Sequence, residues 1–443
     1  MDWRSSKDAT LAAEAARALR KRGKRALLVG GCVRDWLLER EPKDLDLATD
    51  ATPIEVAALF PDAIGVGAHF GVMLLRRGGQ QIEIATFRSD HSYTDGRHPE
   101  QVTFETDPRQ DALRRDFTIN AMFLDPESGE VLDYVGGRAD LAAGIVRAVG
   151  DPERRFAEDH LRMLRAVRFA ARLGFAIEDA TSAAIRRLAA AIHVISAERV
   201  RDEIVRILTE GVASRGLRLL DETGLLAEIL PEVKAMQGVE QPPEFHPEGD
   251  VWTHTLLMFD LLEGSPTATL AMGVLLHDVG KPGTFRRAPD RIRFDGHVEK
   301  GLEIADAILK RLKFSGEEIA EITALIENHM RWSHIRQMKQ STLKRFMRLP
   351  HFGEHMALHR VDSLSSHGKL DHYEFVREKL AELPPEAIRP PRLLTGDDLQ
   401  AMGFEPGPLF KEILTAVEDA QLEGEVTTRD EAEALVRGRW PKA

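Results

Sequence analysis

The sequence predicts an α+β protein, with a small mixed-sheet head followed by a long all-helical remainder. Three observations predict it. Short apolar runs alternate with helical segments up to residue 147. From Pro152 onward helical periodicity continues to the end, with no strand-like alternation of comparable length. Pro242-Pro243 and Pro390-Pro391 interrupt that helical stretch as linkers. The expected divisions are 1–147 for the head, 148–240 for a helical neck and body, 241–385 for a second helical domain and 386–443 for a helical tail.

Within the head, residues 10–22 carry Ala and Leu at helical spacing and read as an amphipathic helix. Arg25–Val29 is a short apolar run and reads as a buried strand. Gly30-Gly31 makes a turn, and a helix then runs through Leu38. Asp44–Ala48 reads as a second strand. Val72–Leu75 and Gln81–Thr86 form a hairpin around Gly78-Gly79. Phe87–Phe104 is polar and contains Gly96 and Pro99, which predicts a long functional or disordered loop.

Composition narrows the function classes. The chain has 443 residues, 43% hydrophobic and 30% charged, ordinary values for soluble protein. No apolar run reaches membrane-spanning length, and Met1–Asp8 lacks the apolar core of a signal peptide, so no membrane association is expected. Cys32 is the only cysteine, so no intrachain disulfide forms, and a reducing cytoplasm is the expected location. The net charge of −12 argues against a broad, non-selective polyanion surface, but leaves room for a local arginine stripe on RNA.

The chemistry concentrates in Leu28–Asp35 and Lys43–Thr49. A strand puts residues i and i+2 on one face, so Asp44 and Asp46 point at one spot, where two carboxylates hold Mg²⁺. A glycine pair before a helix start lets a phosphate approach backbone N–H groups. Both features in this order point to nucleotide chemistry. Two metal ions can activate a 3′-hydroxyl and clamp the leaving pyrophosphate. Glu83, in Gln81-Ile82-Glu83-Ile84, is the candidate third carboxylate, with an exposed strand glutamate as the alternative.

Together with Arg114–Ala121, Asp133–Leu141 and Glu158–Ala166, these motifs resemble the class II tRNA nucleotidyltransferase and bacterial poly(A) polymerase family over most of the chain. The resemblance implies a polymerase-β-like nucleotidyltransferase head; Asp44 and Asp46, with Glu83 as the candidate third ligand, are expected to hold Mg²⁺, and Gly30, Gly31, Arg34 and Arg115 to contact the triphosphate. A structural salt bridge between Arg115 and Asp116 is the alternative for that arginine. Asp116 and Asn120 are expected to hold the motif together. The partners implied are a tRNA 3′-end, CTP and ATP.

Asp159, Arg162, Arg165, Arg168 and Arg172 fall at helical spacing on one stripe, which alone would read as a solvated charged face. Cytosine and adenine each present an amino group beside a bare ring nitrogen. A carboxylate accepts from the first and a guanidinium donates to the second. Uracil and guanine invert both signs. Asp159 and Arg162 can therefore accept C and A and reject U and G, and the family resemblance assigns them that role. Arg165 is read as a further triphosphate or base contact, and Arg168 is grouped with it. Glu198 and Arg199 resemble the family's supporting neck motif, and the 87–104 loop its switch from C to A addition.

The second half carries another pattern, Phe245–His254 followed by Leu275–Lys281. It resembles an HD phosphohydrolase domain, which implies metal ligation by His254, His277, Asp278 and Asp362. His297 and His329 are spaced like the extra histidines of two-metal variants. Imidazole and carboxylate together suit Mn, Ni, Co or Zn. His351, His355 and His359 are read as helix surface. The tail, Leu394–Thr428, is expected to support RNA docking. The narrower alternatives are an A-only or C-only tRNA nucleotidyltransferase, a poly(A) polymerase, and a phosphohydrolase with an RNA-binding head. The long loop argues against C-only addition.

Overall fold

In the computed structural model the residues described are Arg4, 6–93 and 99–441. They fall into two compact units, Met1–Lys234 and Ala235–Ala443.

The first unit is built on a seven-stranded sheet. Its strands are β1 (Ala26–Val29), β2 (Asp46–Thr49), β3 (Ala63–Gly67), β4 (Val72–Arg77), β5 (Gln80–Thr86), β8 (Phe123–Leu124) and β9 (Val131–Leu132), in the order β3-β4-β5-β2-β1-β8-β9. Every neighbouring pair is antiparallel except β2 and β5, which run parallel. The crossover between those two contains the helix Pro53–Leu59, started by a Thr52–Glu55 capping box with Pro53 in its first turn. β1 is buried along its whole length, as its continuous apolar run requires. Helix Ala9–Lys21 places Leu11, Ala12, Ala15, Ala16 and Leu19 in the core, as its periodicity predicts. The hairpin turns at Gly78-Gly79, both at positive φ.

Two readings of the head need correction. The second strand begins at Asp46, so Asp44 lies in the bend before it and is exposed. The segment read as a long loop instead forms an antiparallel hairpin of β6 (Arg88–Tyr93) and β7 (Pro99–Phe104). Its polar sequence lacks the apolar alternation of a half-buried strand. Polar bonds fix its base: Ser89 Oγ donates to Glu105 (2.7 Å), and Arg88 pairs with Asp90 (2.9 Å). The tip, 94–98, lies outside the described residues.

Beyond the head, Pro152–Glu158, Leu161–Leu173, Asp179–Leu188, Ala197–Thr209 and Ala213–Glu222, followed by the short helices Leu225–Ile229 and Pro231–Lys234, belong to the first unit. The strand-free expectation fails only at two-residue pairs. Ala176–Ile177 pairs with Ile145–Val146, and Arg286–Arg287 with Ile292–Arg293. The second unit is otherwise helical. One of its cores gathers around Trp332, Phe346 and Val376, and another, in the tail, around Leu399, Ile413 and Val436. Among the described residues no helix is long and apolar enough to cross a membrane.

Candidate functional site

The parallel pairing of β2 with β5 puts Asp46 directly opposite Glu83. Leu45 and Leu47 face the core, so Asp44 and Asp46 fall on the other face. Glu83 likewise alternates with buried Ile82 and Ile84. The carboxylates feel one another. Burial, with the negative charges of Glu83 and Asp44 and against the pull of Arg115, pushes the Asp46 carboxyl up to about 7. The mutual repulsion of these acids is the kind that a divalent cation relieves, although among the described residues their oxygens are not drawn together within 4.8 Å as the second unit's ligands are.

The turn before the helix Gly31–Leu37 lies close to them. Gly30 has φ 79°, a left-handed conformation that a side chain would strain. The Arg115 guanidinium lies 3.4 Å from where a Cβ on Gly30 would stand, and Arg34 Nη2 3.5 Å from the equivalent point on Gly31. The turn is thus flanked by one guanidinium on each glycine, while the Gly30 N–H donates to the Met122 carbonyl (3.3 Å). Arg34 is 3% exposed and donates to Asp35 (2.8 Å) and Asn120 (2.6 Å). Arg115 pairs with Asp111 (2.8 Å), not Asp116. Asp116 instead takes a two-pronged contact from Arg165 (2.9 and 2.6 Å). Burial opposes ionisation of Asp116, yet Arg165 holds its carboxyl down at about 2.

The arginine stripe divides. Asp159 is not helical; it sits in extended backbone between the helices Pro152–Glu158 and Leu161–Leu173. Arg199 grips its carboxylate (3.3 and 2.8 Å), and Leu161 N–H donates to it (3.1 Å). Arg162 is held by Glu158 (2.6 Å) and the Arg155 carbonyl (2.9 Å). Arg168 is 5% exposed and tied to Glu203 at 2.7 Å, inside the packing of Leu161–Leu173 against Ala197–Thr209. Its guanidinium braces two helices.

The second unit brings His254, His277 and Asp362 together, with ligand atoms all within 4.8 Å of one another. Asp278, His297 and His329 form an adjoining group of the same span. Asp278 lies between them: its Oδ2 is 3.1 Å from His277 Nε2 and 2.6 Å from Lys281 Nζ, and its Oδ1 is 3.7 Å from His297 Nε2. His254 Nε2 is 3.2 Å from Asp362 Oδ1. The Nε2 atoms of His254 and His277 are buried and face the Asp362 and Asp278 carboxylates at 3.2 and 3.1 Å outside hydrogen-bond geometry, an arrangement that suits ligands of a shared cation. Burial disfavours charge on His254, but Asp362 and Glu248 hold its imidazolium up to about 9, a proton standing where a metal would supply positive charge. Burial and the nearby His277 push His329 down to about 4, leaving it a neutral imidazole. A cavity of about 710 Å³ opens over His277, Asp278, His297, His329 and Asp362.

Gly280 allows this assembly. A Cβ there would collide with the His297 carbonyl, so only glycine lets the helix His297–Arg311 approach Asp278. The three-histidine reading needs correction. His351 is exposed, but His355 and His359 are buried (3% and 8% exposed), and His359 stacks on Trp332 at 4.2 Å. Sequence reasoning missed Asp111 as the partner of Arg115, though the i,i+4 spacing was available. Glu248, inside the Phe245–His254 pattern, is a further contact to His254 (2.6 Å) that the pattern alone does not assign.

The poly(A) polymerase head domain family matches residues 26–147, the family described as the probable RNA and SrmB-binding site of polymerase A residues 174–237, and the putative second domain of tRNA nucleotidyltransferases residues 298–436. The chain is 33% identical over 417 residues to a CCA-adding enzyme of Geobacillus sp. strain WCH70, covering 93% of this chain and 92% of that one. It is 35% identical over 432 residues to an A-adding tRNA nucleotidyltransferase of Deinococcus radiodurans, covering 94% and 95%. The crystal structure of the Bacillus stearothermophilus CCA-adding enzyme in complex with CTP superposes with a TM-score of 0.73 at 27% identity, over 98% of this chain and 99% of the other. With Asp46 and Glu83 paired across β2 and β5 and a head matching that of poly(A) polymerases, this chain belongs to the family of CCA-adding and A-adding tRNA nucleotidyltransferases.

Proposed function

We propose that the protein adds CCA to tRNA 3′-ends, transferring CMP and AMP from CTP and ATP and releasing pyrophosphate. The observation that carries this is the register of Asp46 against Glu83, with Asp44 in the bend just before the strand and Arg115 beside Gly30. Asp44, Asp46 and Glu83 would hold Mg²⁺, which lowers the pKa of the attacking hydroxyl and stabilises charge on the phosphate. The chain's own residues orient the substrates. Gly30, Gly31 and Arg115 receive the triphosphate, and Arg34 adds charge beneath the turn. Arg165 braces Asp116. Arg168 is left out of the nucleotide contacts because Glu203 holds its guanidinium inside the helix packing.

Base choice falls to Asp159 and Arg162, each held by a third residue. A pyrimidine or purine bearing an amino group beside a bare ring nitrogen satisfies both. UTP and GTP would leave a buried carboxylate facing a carbonyl and a guanidinium facing an N–H. The test is incubation with tRNAs ending in N, NC and NCC and single nucleotides. Extension of all three to CCA is expected. Extension of NCC alone would replace this with an A-adding enzyme, a reading that the 35% identity to the Deinococcus radiodurans protein favours.

A second activity has its own support. The buried Nε2 atoms of His254 and His277, gathered with Asp362 within 4.8 Å of one another, favour a metal-dependent phosphohydrolase in the second unit. His254, His277 and Asp362 would hold one transition metal ion, with Asp278, His297 and His329 beside it. Such a metal supplies an activated water at neutral pH. Titrating the chain with Co²⁺ tests the site: His254→Ala should abolish binding there.

A further inference from the structure

Three of the four imidazoles in the second unit's site are held alike. Nδ1 lies 2.9 Å from the Val274 carbonyl in His277, 2.9 Å from the Phe294 carbonyl in His297 and 2.7 Å from the Ile326 carbonyl in His329. A carbonyl only accepts, so Nδ1 carries the proton and Nε2 keeps its lone pair for the site. All three histidines sit at helix ends, where carbonyls outside or at the end of the ladder are free to take a ring N–H.

His254 cannot use that device. It lies inside the helix Val251–Asp260, and the carbonyl three residues back, Val251, accepts the Thr255 hydroxyl at 2.9 Å. Its Nδ1 meets Glu248 Oε1 instead, at 2.6 Å. The same oxygen lies 2.9 Å from Nδ1 of His246, whose ring packs edge-on against His254 at 4.9 Å. The Glu248 side chain is 5% exposed, and its second oxygen is buried without a partner. Ser365 Oγ lies 3.3 Å from the His254 Nδ1, a longer and weaker alternative. A buried carboxylate is costly, and here it serves two imidazoles at once.

We infer that Glu248 is the positioning residue of this metal site, fixing His254 as the Nδ1–H tautomer with Nε2 aimed at Asp362 and His277. The inference rests on the metal-site reading above. Carboxylates in this outer position typically carry a 10–100-fold share of metal affinity. Ser365 should keep the loss near the lower end.

The experiment uses the full chain in an Asp44→Asn, Asp46→Asn, Glu83→Gln background, so that the head's acids do not compete for the metal. Co²⁺ binding is followed by visible absorption, and ring tautomers of the Zn²⁺-loaded protein by ¹⁵N NMR. Glu248→Gln should weaken Co²⁺ binding about tenfold at unchanged stoichiometry and broaden or shift the His254 Nδ1–H signal alone, leaving those of His277, His297 and His329. Parent-like affinity and an unmoved His254 signal in Glu248→Gln would overturn the positioning role while leaving the metal site standing. If His254→Ala binds Co²⁺ as the parent does, the metal site falls and the inference with it. The parent spectrum decides without any variant: His254 in the Nε2–H tautomer refutes the inference.

Discussion

Replacing Asp159 by Ala removes the one acceptor proposed to face the exocyclic amino group of C or A. The carboxylate is largely buried, with 16% of its side chain exposed, so its hydrogen bond to a base is charge-assisted and poorly solvated. Such a bond contributes about 1.5–3 kcal/mol. At about 1.4 kcal/mol per factor of ten, the preference for CTP over UTP should fall roughly 10- to 150-fold. Asp159→Asn should lose less, because the amide oxygen still accepts but without charge. The assay is single-turnover incorporation on a tRNA ending in N, with kcat/KM measured separately for CTP and UTP. Arg199→Ala is the companion variant: Asp159 keeps the Leu161 N–H but loses its guanidinium clamp, so selectivity should drop by a smaller factor. An Asp159→Ala enzyme slower with both nucleotides at an unchanged CTP/UTP ratio would refute the base-reading role.

Asp46→Asn should abolish incorporation of every nucleotide without altering the ratio between them, as single-turnover assays can show. The Asp46 carboxyl sits near 7 without metal, so protons compete with Mg²⁺ for it. The sign is that of a raised acid: the competing proton is bound below pH 7 and gone above it. Half-saturating Mg²⁺ should therefore rise about tenfold from pH 8 to pH 6. Arg168→Ala leaves Glu203 buried without its partner and should cost about 3–5 kcal/mol, read as a lower denaturation midpoint, with nucleotide selectivity intact. Cys32 is 4% exposed and burial pushes its thiol up to about 12, so thiol reagents at pH 8 should leave the native protein unmodified.

The parts legible in the sequence are those where local pattern and chemistry agree. The apolar run of β1, the Gly30-Gly31 turn, the Gly78-Gly79 hairpin and the helical second half all announce themselves. The acids at Asp46 and Glu83 are visible because strand alternation puts them opposite leucine and isoleucine, whereas Asp44 lies in the bend before the strand. What failed were features set by partners far away in sequence. The β6–β7 hairpin is polar, so period-two alternation could not reveal it. Asp159 is spaced as if helical, but a helix break precedes Leu161. Arg168 resembles its neighbours on the stripe, and only the fold brings Glu203 to it across 35 residues. His355 and His359 sit on a polar-looking helix face that Trp332 and Phe346 cover.

The arrangement of Asp159 and Arg162 explains why a protein surface can stand in for a template strand. Had the two paired with each other, each would satisfy the other and neither would offer a bond to a base. Here Arg199 neutralises Asp159 from one side and Glu158 neutralises Arg162 from the other. Each group is fixed in position, yet a carboxylate has about four lone-pair sites and a guanidinium five N–H donors, more than one clamp consumes. The remaining capacity is directional and sign-specific, the property that a Watson–Crick edge supplies in a nucleic acid template. Specificity for C and A over U and G then depends on two clamps holding still, so loosening either should relax base choice before it slows the chemistry at Asp46.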